Sequence, residues 1–151
     1  MTDRVIVATF NDSNSAYDAA SALKKLKETG SVDIKMKTGV MIQKDDLGNL
    51  SVLEEKDRVL WGTGVGTVSG ALIGLLGGAP GAAVGAAIGA MTGLTGDAVM
   101  SSMDQDFVDS VTTEMKPGMT AIVVEADEKS TRPVDDIVAL KGGHVNRQAA
   151  N

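Results

Sequence analysis

The chain has 151 residues, a formal net charge of −6 and a sequence pI of about 4.7, which fits one domain with an insertion. The acidic balance argues against nucleic-acid binding, which calls for a basic face, and against simple electrostatic docking on anionic lipid. Cysteine is absent, which excludes disulfides and thiolate chemistry, and the single histidine cannot form a multi-histidine metal site alone. No signal peptide precedes the first apolar run, and we therefore expect the N-terminal part to stay in the cytoplasm.

The first third of the chain predicts a strand, a helix and a strand hairpin. Residues 4–10 are β-branched and apolar and predict a strand, and residues 15–29 have an apolar face at helical spacing that ends before Gly30. Residues 32–43 predict a second strand, which alternates so that one face carries Val32, Ile34 and Met36. After a turn, residues 50–53 predict its hairpin partner.

The last third predicts a helix, a strand, a second helix and a last strand. A short helix opening at residues 104–106 carries Phe107, Val108, Val111 and Met115. Residues 119–126 predict the strongest strand of the chain. Residues 130–140 predict a helix, and residues 144–147 predict a last strand. The inward-facing positions of that helix are predicted to be Val134, Ile137, Val138 and Leu140.

Residues 4–37 and 119–147 therefore share one order of elements: strand, acidic turn, helix, glycine, strand. Two such βαβ units predict an α+β fold with a ferredoxin-like sheet and helices on one face. We expect residues 1–57 and 101–151 to form the two halves of this domain, and residues 58–100 to be an inserted αα-hairpin.

Glycine marks the insertion. Residues 59–96 carry no charge, and twelve of the 18 glycines lie between Gly62 and Gly96. Glycines recur every fourth residue in two registers, which are Gly62, Gly66, Gly70, Gly74 and Gly78, then Gly77, Gly81, Gly85, Gly89 and Gly93. Ala79 and Pro80 lie where the registers change, and there we predict the hairpin turn.

Energetics indicate what this spacing is for. A glycine inside a helix costs ~1 kcal/mol relative to alanine, so five in one helix cost on the order of 5 kcal/mol. A groove of glycines offsets that cost by letting another backbone approach closely. The pattern therefore predicts a glycine zipper that packs helix against helix, within the hairpin and between copies of the chain.

The same segment predicts membrane association. Each arm has roughly 16–20 residues, or about 24–30 Å at helical rise, which is sufficient to cross a bilayer. The first arm is rich in large apolar residues, and Trp61 lies at its entrance, as an interfacial aromatic does. The second arm is mostly alanine and glycine, so a soluble oligomer built around these hairpins is the alternative.

No motif indicates catalysis. Thr67 breaks a G-x-G-x-x-G spacing after Gly62, and no G-K-[ST] occurs. Asp104, Asp106 and Asp109 could hold a hard cation, but acids at a helix N-terminus commonly complement its dipole. We expect no enzymatic activity, no cofactor and no bound metal.

The chain resembles the bacterial DUF1269 family of unknown function over nearly its whole length. The most specific similarities are the Asp-x-Asp-Phe stretch at 104–107 and the Pro-Gly-x-Thr-Ala stretch at 117–121. The resemblance implies this order of elements and a membrane location, but no activity.

We therefore expect a non-enzymatic scaffold or stress-related protein, anchored in the cytoplasmic membrane and self-assembling through its hairpin, with the α+β domain in the cytoplasm. The expected partners are a second copy of the chain, the lipid bilayer and an unidentified cytoplasmic protein. The alternatives are a soluble ring or shell in the cytoplasm, or a small-ligand sensor at a subunit interface.

Overall fold

The structure, a computed structural model, describes residues 2–30, 32–48, 50–52 and 104–149. These residues form an α+β fold, which confirms the predicted class. The predicted hairpin, residues 58–100, lies outside them. The elements in chain order are β1 (Thr2–Phe10), α1 (Ser13–Thr29), β2 (Ile34–Lys44), β3 (Leu50–Val52), α2 (Gln105–Glu114), β4 (Thr120–Glu128), α3 (Arg132–Leu140) and β5 (His144–Ala149).

The five described strands form one antiparallel sheet in the order β3-β2-β4-β1-β5. β4 lies at the centre and pairs with β1 from Thr2↔Glu128 to Phe10↔Thr120. Because β1 and β2 are both antiparallel to β4, they run parallel to each other on either side of it. By the same reasoning β4 and β5 run parallel, with β1 between them.

β2 departs from the simple alternation that its sequence predicts. Lys37 is an extra residue in its pairing with β4, a β-bulge, because Met36 pairs with Ala126 and the next paired position is Thr38 with Glu125. Val32 precedes the strand and is 81% exposed. The strand predicted for residues 32–43 therefore begins two residues later than expected, at Ile34, and Val32 is not part of it.

Helices cover both faces of the sheet. α1 and α3 pack on one face, which we call the α1–α3 face, over strand residues that include Ile6, Phe10, Met41, Ile122 and Val124. α2 packs on the opposite face, the α2 face, through Phe107, Val108, Val111 and Met115. The helices of the two predicted βαβ units, α1 and α3, thus share one face as expected, whereas α2, which lies between those units in the chain, covers the other. The α2 face also includes the buried strand residues Val5, Val7, Val40, Ile42, Leu50, Ala121 and Val123.

α3 differs from its prediction at its last residue. Val134 and Val138 are fully buried, whereas Leu140 is 80% exposed, so its predicted inward orientation is wrong. The reason is angular, since Leu140 lies about 200° around the helix from Val138. Gly142 then reverses the chain with a φ of 76°, and Gly143 leads into β5 against the core. A Cβ on Gly143 would lie 2.5 Å from Phe10 Cε1 and 2.7 Å from Val138 Cγ1.

Candidate functional site

Polar contacts attach α2 to β5, the outermost of the described strands on its side of the sheet, at both ends of the helix. Before its first turn, the Asp104 backbone N–H donates to Gln148 Oε1 at 2.9 Å. In its last turn, Glu114 Oε1 lies 3.1 Å from His144 Nε2, and the other Glu114 oxygen accepts from the Asn146 amide. His144, Asn146 and Gln148 alternate along β5, so all three lie on the α2 face. Side chains of β5 thus hold α2, the helix that follows residues 53–103 in the chain, against the sheet.

A cleft opens where α2 ends. It has a volume of about 420 Å³ and is lined by Thr9, Asn11, Thr113, Glu114, Lys116, Met119 and His144. These residues come from the end of β1, the last turn of α2, the loop before β4 and the start of β5. Thr9 is only 3% exposed, whereas Asn11 and Lys116 are exposed. The cleft therefore combines a carboxylate, an ammonium, an imidazole, an amide and two hydroxyls over a buried floor.

A buried ion-pair network occupies the opposite face. The Glu128 side chain is 1% exposed and accepts from Arg147 Nε at 2.8 Å and Nη2 at 3.2 Å. Arg147 also donates to the Thr131 carbonyl and forms an ion pair with Asp135 at 2.7 Å. Burial lowers the pKa of Arg147, but the hydrogen bonds and charges of Glu128 and Asp135 outweigh it and raise that pKa overall. The network joins α3 to β4 and β5, and its charged groups pair with one another.

The three aspartates considered for a cation lie along α2, where two of them have local partners. Asp104 is the N-cap residue, and its carboxylate accepts from the Asp106 backbone N–H at 3.0 Å. Asp109 accepts from the Gln105 amide at 2.9 Å. Within the described ranges, no three His, Cys, Asp or Glu side chains lie close enough together to hold a metal ion.

The zipper positions lie outside the described part of the chain. This applies to Trp61 at the predicted membrane interface, to the turn residues Ala79 and Pro80, and to every glycine of the two registers between Gly62 and Gly93. Of the helices that the structure describes, none is long and apolar enough to cross a membrane. The hairpin, its packing and its bilayer insertion therefore stay predictions from sequence.

Sequence reasoning did not identify the contacts of α2 with β5 or the cleft beside them. His144 was expected only as a residue of a last strand, and Glu114 and Asn146 were not singled out. The available signal was the polar residue at every second position from His144 to Gln148, on a strand whose other face carries Val145 and Arg147. Such alternation shows that one face is polar, but it does not name the partner that covers it.

Comparison with known protein families identifies a match. The sequence model of a family described as a protein of unknown function, DUF1269, matches residues 60–149, which is 90 of the 151 residues. The matched region includes the glycine-rich segment, α2, β4, α3 and β5. No curated protein and no solved structure matches the chain significantly.

Proposed function

This chain belongs to the DUF1269 family, whose function is unknown, and we propose that it is a non-enzymatic, self-assembling scaffold of the cytoplasmic membrane. The observation that carries the proposal is the uncharged run at 59–96 with a glycine at every fourth position in two registers. Such a groove gains its energy from close approach of a second helix, in lipid as well as in a protein core. The α+β domain would lie on the cytoplasmic side and offer its surface to a further protein.

The fold supports the idea of an insertion. β3, which ends at Val52, is a strand of the antiparallel sheet, and α2, which begins at Gln105, packs on that sheet. The elements before and after residues 53–103 therefore belong to the same domain. The strand order β5-β1-β4-β2, with β1 parallel to β2 and β4 parallel to β5, supports a ferredoxin-like domain made of two split βαβ units, to which β3 adds an edge strand.

One observation favours a soluble assembly as the second candidate. Between Gly81 and Gly96, the larger apolar residues are only Val84, Ile88, Met91 and Leu94 among many alanines and glycines. An arm of this composition inserts poorly into a bilayer without a partner helix. In that case the same zipper would form the seam between subunits of a soluble ring or shell.

Membrane partition separates the two candidates. The untagged full chain is expressed, the lysate is floated on a density gradient, and the membrane fraction is washed with alkaline carbonate. We expect the protein to stay with lipid after the wash. A soluble protein that elutes far above its 15.5 kDa chain mass would refute the membrane location and favour the seam.

Self-assembly is tested by filling the groove. Gly70→Leu and Gly85→Leu each place a large side chain on a predicted zipper register, and we expect both variants to lose the oligomer in cross-linking and sedimentation experiments. Ala71→Leu and Ala86→Leu are matched controls, because the same side chain is added about 100° around each helix from the groove. Equal oligomer sizes in all four variants would show that the glycines do not form the contact.

A further inference from the structure

The cleft at the end of α2 is lined by groups of opposite charge. Glu114 and the C-terminal end of the α2 dipole favour a positively charged group. The ammonium of Lys116, the amide of Asn11 and the hydroxyl of Thr9 can donate to an oxyanion. An anion alone would face a carboxylate, and a cation alone would face an ammonium. The complementary ligand therefore carries both charges.

Both charged groups of the lining have hydrogen-bonding capacity left for a ligand. Glu114 lies 3.1 Å from His144 Nε2 and accepts from the Asn146 amide, and a carboxylate has about four acceptor positions in all. Within the described residues, the Lys116 ammonium forms no ion pair.

We propose that this cleft binds a small zwitterion of the α-amino acid class. Its ammonium group pairs with Glu114 and its carboxylate group pairs with Lys116, with Thr9 and Asn11 donating to the carboxylate. The volume of about 420 Å³ is within the range of small-molecule sites. The side chain of the amino acid lies toward Met119, the apolar residue of the lining.

The position of the cleft gives binding a structural consequence. Glu114 and Thr113 belong to α2, whereas Thr9 and His144 belong to the sheet, so a bound ligand contacts both. It therefore stabilises the arrangement in which α2 lies on the sheet, and the melting temperature should rise with ligand concentration. This site is independent of the zipper, and a failed zipper test leaves it standing.

The test is calorimetric titration of the purified full chain with each standard α-amino acid at millimolar concentration. For the tightest binder, the matched amine lacking the carboxylate and the matched hydroxy acid lacking the ammonium are titrated next. We expect saturable binding of the amino acid, and affinities at least about tenfold lower for both analogues, since each loses a charged hydrogen bond. No saturable binding of any amino acid, or equal affinity for either analogue, would overturn the proposal.

Variants locate the site. Lys116→Gln should weaken binding by about tenfold or more while leaving the contacts of Glu114 with β5 intact. Lys25→Gln, at an exposed position of α1 outside the cleft lining, is the matched control and should bind as the parent does. Glu114→Gln should weaken binding by a similar factor. If the Glu114→Gln protein folds poorly, the Lys116→Gln variant alone tests the location of the site. Unchanged affinity in Lys116→Gln would refute this location.

Discussion

Adding one methyl group at Gly143 tests how tightly β5 is packed against the core. A Cβ at this position would lie 2.5 Å and 2.9 Å from two Phe10 ring atoms and 2.7 Å from Val138 Cγ1. Phe10 is 1% exposed and Val138 is fully buried, so neither can move out into solvent. Overpacking of this kind costs about 1–3 kcal/mol, and three contacts this short place Gly143→Ala at about 3 kcal/mol.

The assay is urea unfolding of the full chain followed by circular dichroism. The midpoint should fall with little change in slope. Val138→Ala removes the Cγ1 methyl that the added Cβ would meet. The double variant Gly143→Ala/Val138→Ala should therefore be destabilised by about 1 kcal/mol less than the sum of the two single destabilisations.

Gly142→Ala provides the control for this experiment. No atom lies within 4 Å of a Cβ added there, and its cost should be the strain of a positive φ, about 1–2 kcal/mol. That cost should add to the cost of Val138→Ala without coupling. If Gly143→Ala is also additive with Val138→Ala, or costs less than about 0.5 kcal/mol, the packing argument is refuted.

Three further changes address the other contacts. Arg147→Met leaves Glu128 buried without its main partner, and we expect the free energy of unfolding in urea to fall by about 3–5 kcal/mol. Because folding raises the pKa of Arg147, the stabilisation that this residue provides should be constant at every pH below its ordinary pKa. It should be lost only as the pH rises above that value. Phe107→Ala should lower the free energy of unfolding by about 3–5 kcal/mol and speed hydrogen exchange of amides on the α2 face. Unchanged stability and exchange would show that α2 contributes little to the core. Asp104→Ala removes a helix cap and should cost about 1 kcal/mol, while Asp109→Ala, a non-capping position, should cost clearly less.

Much of the fold follows from local patterns in the sequence. The runs at 4–10 and 119–126 were identified as strands because β-branched residues dominate them, and both lie in the centre of the sheet. Gly30 was predicted at the end of a helix, and its φ is positive, at 77°. Strand propensity and glycine at a positive φ both depend on residues adjacent in the chain, so the sequence alone is enough to predict them.

The errors and omissions arise from long-range geometry. The apolar face of α2 was recognised, but periodicity cannot say against which side of a sheet a helix packs. The contact between Glu114 and Asn146 joins residues 32 positions apart, and it exists only because β5 pairs with β1 and α2 crosses the same face. Leu140 was predicted to face inward because it is apolar, although its position around the helix axis is nearly opposite that of Val138.

The Arg147 network has a consequence for how the outermost strand is held. β5 is an edge strand among the described strands, and it pairs only with β1 there. Side chains alternate between the two faces of a sheet, so a β5–β1 pairing shifted by one residue would turn Arg147 to the α2 face and break its buried ion pair with Glu128. The same ion pair that joins α3 to the sheet therefore also fixes the register of β5.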